Sequence, residues 1–141
     1  MTTKQWLMRA MNIDREIDSL LKARGELYDR VTKITQSYTG DVVQSTKDPH
    51  RFEKLAEYEI EIDLQIDHLI DVKREINAAI NELHDWRLRT VMRERYLGSK
   101  TWEQIAVDMH FSYQHVCRLH GRALIELGGI LKDVLSVQPS T

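Results

Sequence analysis

From Trp6 onward the apolar residues fall alternately four and three apart: Trp6, Ala10, Ile13, Ile17, Leu20, Leu27, Val31 and Ile34, with Arg24 the one interruption. A seven-residue period held this long marks a helix packed in a supercoiled seam. At about 1.5 Å per residue it predicts one helix roughly 45 to 50 Å long. Gly40, Pro49 and the Ser, Thr and Asp residues of 37–50 supply the chemistry that turns the chain. A second stripe follows: Phe52, Leu55, Glu59, Ile62, Ile66, Leu69, Lys73, Ile76, Ile80 and Leu83. Two such stripes predict a long antiparallel, coiled-coil-like helical hairpin over residues 4–83.

A lone hairpin leaves apolar surface wet. Leu7, Leu21 and Tyr28 widen the first stripe, and Tyr58, Ile60, Leu64, Ile70 and Val72 lie off the second. A second hairpin, giving a four-helix bundle, or the C-terminal domain folding back would cover them. Heptads favour self-association, so a homodimer through residues 4–83 is expected. Arg24, Glu59 and Lys73, at seam positions, either set register or reach out to solvent. The outer face of the second helix carries Glu53, Glu57, Glu59, Glu61, Asp63, Asp67, Asp71 and Glu75. It reads as a solvated face that repels DNA, with a dock for a basic partner as the lesser reading.

Composition narrows the classes. With 42% hydrophobic and 30% charged residues, 2 Pro and 6 Gly among 141, the chain is neither disordered nor collagen-like. Cys117 stands alone, so no internal disulfide is available. No apolar run is long enough for a membrane span, and Met1–Met11, with Lys4 and Arg9, lacks a signal-peptide core. A cytoplasmic protein without a membrane partner is expected. The net charge of −2 argues against a general polyanion binder. Residues 1–83 are net acidic and residues 84–141 net basic, so the two parts face different partners.

After Leu83 the pattern changes. Trp86, Leu88, Val91, Met92, Tyr96 and Leu97 interleave with Arg87, Arg89, Arg93 and Arg95, and Gly98 is expected to end that helix by adopting positive φ. Thr101-Trp102-Glu103-Gln104 has the spacing of a capping box. A short helix, Trp102 to Met109, should bury Ile105, the small Ala106 and Met109. His110 and Phe111 make a turn, and Ser112 caps a helix with Val116, Leu119, Ala123, Leu124 and Leu127 on one face. The opposite face offers Tyr113, Gln114, His115, Cys117, Arg118 and Arg122. Hydrogen-bonding side chains at the start of a second helix are what a recognition helix brings to the major groove. Arg118 suits guanine, Gln114 adenine and Tyr113 a phosphate. Gly121 is expected to mark close packing against the preceding helix, with close approach of a DNA backbone as the lesser reading, and Gly128-Gly129 to end this one, with Ile130, Leu131, Val134 and Leu135 in a short apolar tail turn and 137–141 frayed.

YLGSKTWEQIAVDMHFSYQHVCRLHGRALIEL, residues 96–127, resembles the fourth region of bacterial sigma factors. It is more similar still to small sigma-like proteins of phages and prophages of Gram-positive bacteria, some of them late transcriptional activators. Trp102, Ile105, Ala106, Ser112, His115, Val116, Arg118, Leu119, His120, Gly121, Ala123 and Leu124 carry the likeness, over about a quarter of the chain. It implies binding of duplex promoter DNA, with RNA polymerase as a further contact. No segment resembles the sigma regions that melt DNA, so a stand-alone sigma factor is not implied. Tyr113, Gln114, His115 and Cys117 stand where sigma factors place more charge, so their DNA preference does not carry over.

The expectation is therefore an all-α protein: a helical hairpin, 4–83, followed by a sigma-region-four-like helix-turn-helix, 84–135. It would be a sequence-specific, DNA-binding transcriptional regulator of a phage or prophage, acting on double-stranded DNA in the bacterial cytoplasm. Arg87, Arg89, Arg93, Arg95 and Lys100 would hold phosphates while Gln114, His115 and Arg118 read bases. Rival readings are an adaptor that binds RNA polymerase or another protein through the hairpin, and a DNA-packaging component. No metal or other cofactor is expected: His110, His115, Cys117 and His120 are close in sequence, but His115 and Cys117 point apart on one helix. No cleft, phosphate loop or paired carboxylates indicate an enzyme.

Overall fold

A computed structural model describes residues 1–37 and 50–136, with side chains described for 1–30 and 50–136. The predicted turn at Gly40 and Pro49, the seam side chains Val31 and Ile34, and the tail 137–141 lie outside the described residues. Every described element is helical: α1 Thr3–Met8, α2 Ile13–Ser37, α3 Arg51–Asn81, α4 Trp86–Met92, α5 Trp102–Met109, α6 Tyr113–Ile130 and α7 Lys132–Ser136. The wider, π-helical turn Arg93–Leu97 prolongs α4.

The expected single helix from Trp6 to Ile34 is two. α1 starts at a capping box, Thr2 Oγ1 accepting from Gln5 N while Gln5 Oε1 accepts from Thr2 N. It stops at Arg9, and Asn12 turns left-handed at φ 66° before α2 begins. Asparagine tolerates that region better than most residues, and here its N–H donates to Ser99 Oγ at 3.0 Å. Ser99 is itself left-handed, at φ 53°. Two strained turns 87 residues apart thus hold one another. Without its first stretch, α2 spans 25 residues, about 37 Å rather than 45 to 50 Å.

The packing divides the chain elsewhere than at Leu83. One unit comprises Met1–Ile13 with Ile70–Thr141, the other Asp14–Leu69. The reason is burial: Trp6, Leu7, Ala10 and Ile13 at one end of the chain and Ile76, Ala79, Ile80 and Leu83 at the end of α3 are all core residues of the first unit. Leu88, Val91, Met92 and Tyr96 from α4 and its π turn, Ile105 from α5, and Val116, Leu119, Ala123 and Leu127 from α6 complete that core. α6 packs against α1, α4 and α5. It runs straight through Gly128 and Gly129 to Ile130, contrary to expectation. A Cβ at Gly128 would meet Thr3 Oγ1 at 3.3 Å, so this glycine admits α1 rather than ending α6. Leu131 is buried, but Val134 of α7 stays exposed.

The second unit is thin. Among its described residues, those buried are Leu27 on α2 and Ile62 and Ile66 on α3. Arg24, the charged residue of the first stripe, pairs with Asp63 while both side chains stay well exposed, so a register role and reach to solvent coexist. Tyr28, Phe52, Tyr58, Ile60 and Leu64 remain exposed. Among the described residues no helix is long and apolar enough to cross a membrane.

Candidate nucleic-acid interface

Local chemistry sets the frame. Thr101 Oγ1 accepts from Gln104 N at 3.2 Å and Gln104 Oε1 from Thr101 N at 3.0 Å, the reciprocal box that starts α5 where the spacing predicted it. α5 ends at His110, left-handed at φ 59°, and Phe111 N–H returns to Ala106 O at 3.0 Å. Ser112 then caps α6, its Oγ accepting from His115 N at 3.1 Å. The two helices are thus joined by a turn with a hydrogen-bonded cap on each side.

A buried polar pair locks them to α4. Tyr96 Oη and His120 Nε2 lie 2.7 Å apart, and the Trp102 ring stands edge-on to His120 with centroids 4.5 Å apart. His120 is only 9% exposed. Burial, aided by the charges of Lys4 and Arg95, pushes its pKa down to about 4. Burial pushes the Tyr96 hydroxyl up to about 12. Both stay neutral at physiological pH, which is the state a dry hydrogen bond requires.

The arginines of α4 are occupied within the fold. Arg87 clamps Asp85 through Nε at 3.2 Å and Nη2 at 2.8 Å, while Asp85 Oδ1 accepts Arg87 N–H and so caps α4. These bonds hold the Asp85 carboxyl down at about 2 and raise the Arg87 pKa. Arg89 Nη1 donates to Leu83 O at 2.6 Å and His84 O at 3.1 Å, just beyond the end of α3. Arg93 bonds Asn77 and Asn81 of α3. Arg95 donates to Lys100 O at 2.9 Å and stacks on Trp102, 4.5 Å from its centroid. Lys100 pairs with Glu94 and with Asp108, at 2.9 Å from the latter, and those bonds raise its pKa. Arg87, Arg89, Arg93, Arg95 and Lys100, each half-buried, therefore make bonds within the fold.

Gly98 is required for a different reason than expected. Its φ is −92°, and the left-handed residue is Ser99. A Cβ on Gly98 would lie 2.8 Å from the Glu94 carbonyl oxygen, because the π turn draws Gly98 N–H to Arg93 O at 2.8 Å.

α6 is different. Val116, Leu119, His120, Ala123 and Leu127 face the core. At about 100° per residue, Gln114, Arg118, Gly121 and Ile125 form a row on the opposite side. Gln114, Arg118 and Arg122 are exposed, and Tyr113 is 47% exposed. Cys117 beside Tyr113 raises the tyrosine pKa. His115 is half-buried, its ring edge-on to Phe111 at 4.7 Å between centroids, so it supports the turn. The one carboxylate on α6, Glu126, accepts His84 N–H at 3.2 Å. The expected packing role of Gly121 fails, since nothing lies within 4 Å of a Cβ built there. Ile125, 80% exposed, was not singled out by its sequence position, since a lone apolar residue on a helix is an ordinary occurrence. His110, His115, Cys117 and His120 do not converge, and no metal-binding group of His, Cys, Asp and Glu forms among the described residues.

No protein-family model, no curated protein and no solved structure matches this chain.

Proposed function

We propose that α5, the turn at His110–Phe111 and α6 act as a helix-turn-helix and that the protein is a sequence-specific DNA-binding transcriptional regulator of a phage or prophage. The observation that carries this reading is the outward side of α6: it is solvent-facing, it bears Gln114, Arg118 and Arg122, and its helix holds no carboxylate but the engaged Glu126. An amide and a guanidinium on successive turns match adenine and guanine edges in a major groove, each bidentate pair being worth about 1 to 3 kcal/mol of discrimination. Tyr113 and Arg122 flank them as phosphate contacts. The likeness of residues 96–127 to sigma region four points the same way, with RNA polymerase as a further partner.

The second unit supplies the partner surface in this reading. Tyr58, Ile60 and Leu64 are 47%, 59% and 63% exposed, and a second copy of the same helices would cover them, placing two α6 helices on one operator. The adaptor reading rests on those same residues receiving a different protein. Selection of duplexes from a random-sequence pool by the full chain, followed by mobility shift with Arg118→Ala and Gln114→Ala, tests the function. Enrichment of one motif, with its binding lost in both variants, is the expected result. A pool that never enriches, while Ile60→Glu with Leu64→Glu abolishes activity in cells, gives the adaptor reading instead.

A further inference from the structure

The outward row of α6 continues past Arg118, and the fold gives no reason for what it contains. Gly121 sits in mid-helix, where glycine is less favourable than alanine by about 1 kcal/mol, yet nothing beyond its chain neighbours and its own helix backbone lies within 4 Å of where its Cβ would be. Ile125 is the most exposed large apolar side chain among the described residues, at 80%. It lies on the side of the helix that carries Arg118 and Arg122, two exposed guanidiniums. A purely apolar partner would have to desolvate those guanidiniums to reach Ile125. A duplex groove meets both demands, since it sets thymine methyl groups between two rims of phosphate. From Gln114 to Ile125 the row is about 16 Å long, or roughly five base-pair steps of 3.4 Å.

Resting on the DNA-binding reading above, we propose that α6 lies against the duplex along its whole outward row, with its backbone nearest the nucleic acid at Gly121 and Ile125 packed on a thymine methyl group. Gly121 then serves approach, and Ile125 adds an apolar term to a specificity otherwise set by Gln114 and Arg118.

The probe is a duplex enriched from a random pool by the full chain, re-synthesised with each thymine in turn replaced by uracil, which deletes one methyl group. Binding is read by fluorescence anisotropy. At one position the wild-type protein should lose about fourfold, the factor for one buried carbon. Ile125→Ala should bind the thymine and uracil forms of that site equally. Gly121→Ala should melt no lower than wild type, because its methyl group meets no protein atom, yet bind the duplex about tenfold more weakly, as expected when a base contact is held away. The proposal is overturned if no uracil site affects the wild type, if Ile125→Ala keeps the same sensitivity, or if Gly121→Ala binds as well as wild type. A pool that yields no enriched duplex is a different failure, since it removes DNA binding itself.

Discussion

Raising the salt concentration should weaken DNA binding far less than the arginine content of residues 84–141 implies. Each phosphate neutralised by a cation contributes about −0.9 to the slope of log affinity against log salt. Arg118 and Arg122 are exposed on α6, whereas Arg87, Arg89, Arg93, Arg95 and Lys100 are bound to Asp85, Leu83 and His84 carbonyls, Asn77 and Asn81, the Lys100 carbonyl, and Glu94 and Asp108. These two exposed cations give a slope of about −2 per protomer, or about −4 for a dimer, while all seven would give about −6 per protomer. Over a fourfold rise in salt these slopes correspond to losses of roughly 15-fold, 250-fold and 4,000-fold in affinity. Anisotropy titrations on a selected duplex at about 50 and 200 mM salt measure the slope, and sedimentation of the complex gives the number of protomers. Arg118→Ala should make the slope about one unit shallower. Arg93→Ala should leave it unchanged and instead lower stability by about 0.5 to 1.5 kcal/mol through the lost bonds to Asn77 and Asn81, since water can reach the exposed Asn81. A slope near −6 per protomer would refute the reasoning, because the five inner cations would then have left their partners for phosphates.

Acid should destabilise the first unit through His120. The buried ring binds its proton only near pH 4, whereas an unfolded histidine binds near 6.5, so the stabilisation is complete above about pH 6.5 and falls away as pH drops toward 4. The loss should reach about 2 to 3 kcal/mol, read as the difference in urea midpoints between wild type and His120→Gln across that range; parallel pH curves would remove the assignment. Leu7→Ala, which empties a fully buried position on α1, should cost about 2 to 5 kcal/mol and lower the melting temperature of the α6 module, as calorimetry would show. Gly98→Ala should cost about 1 to 3 kcal/mol by forcing a methyl group against the Glu94 carbonyl; a variant as stable as wild type would show that the π turn yields freely.

What was legible in the sequence was the chemistry that acts over three or four residues. The Thr101–Gln104 box, the Ser112 cap and the apolar face of α6 are local, so spacing alone placed α5 and the start of α6. The Thr2–Gln5 box has the same spacing and was equally readable, but the seven-residue period masked it. The break at Asn12 depends on Ser99 at the far side of the chain, and Arg93 finds Asn77 and Asn81 only once α3 lies beside α4. An arginine-rich helix looks alike whether it faces phosphates or amides, because composition records the cation and not its partner. Gly128 misled for a related reason: its missing side chain answers to Thr3, 125 positions earlier, and not to the end of its own helix.

The packing of α1 on α6 sets an order of events during synthesis. Trp6 and Leu7 leave the ribosome about a hundred residues before α6, the helix on which α1 packs. The nascent chain must carry two large apolar side chains uncovered until α6 has been made. α2 and the first part of α3 can meet meanwhile, as Arg24 and Asp63 do, so the second unit can form before the first is complete.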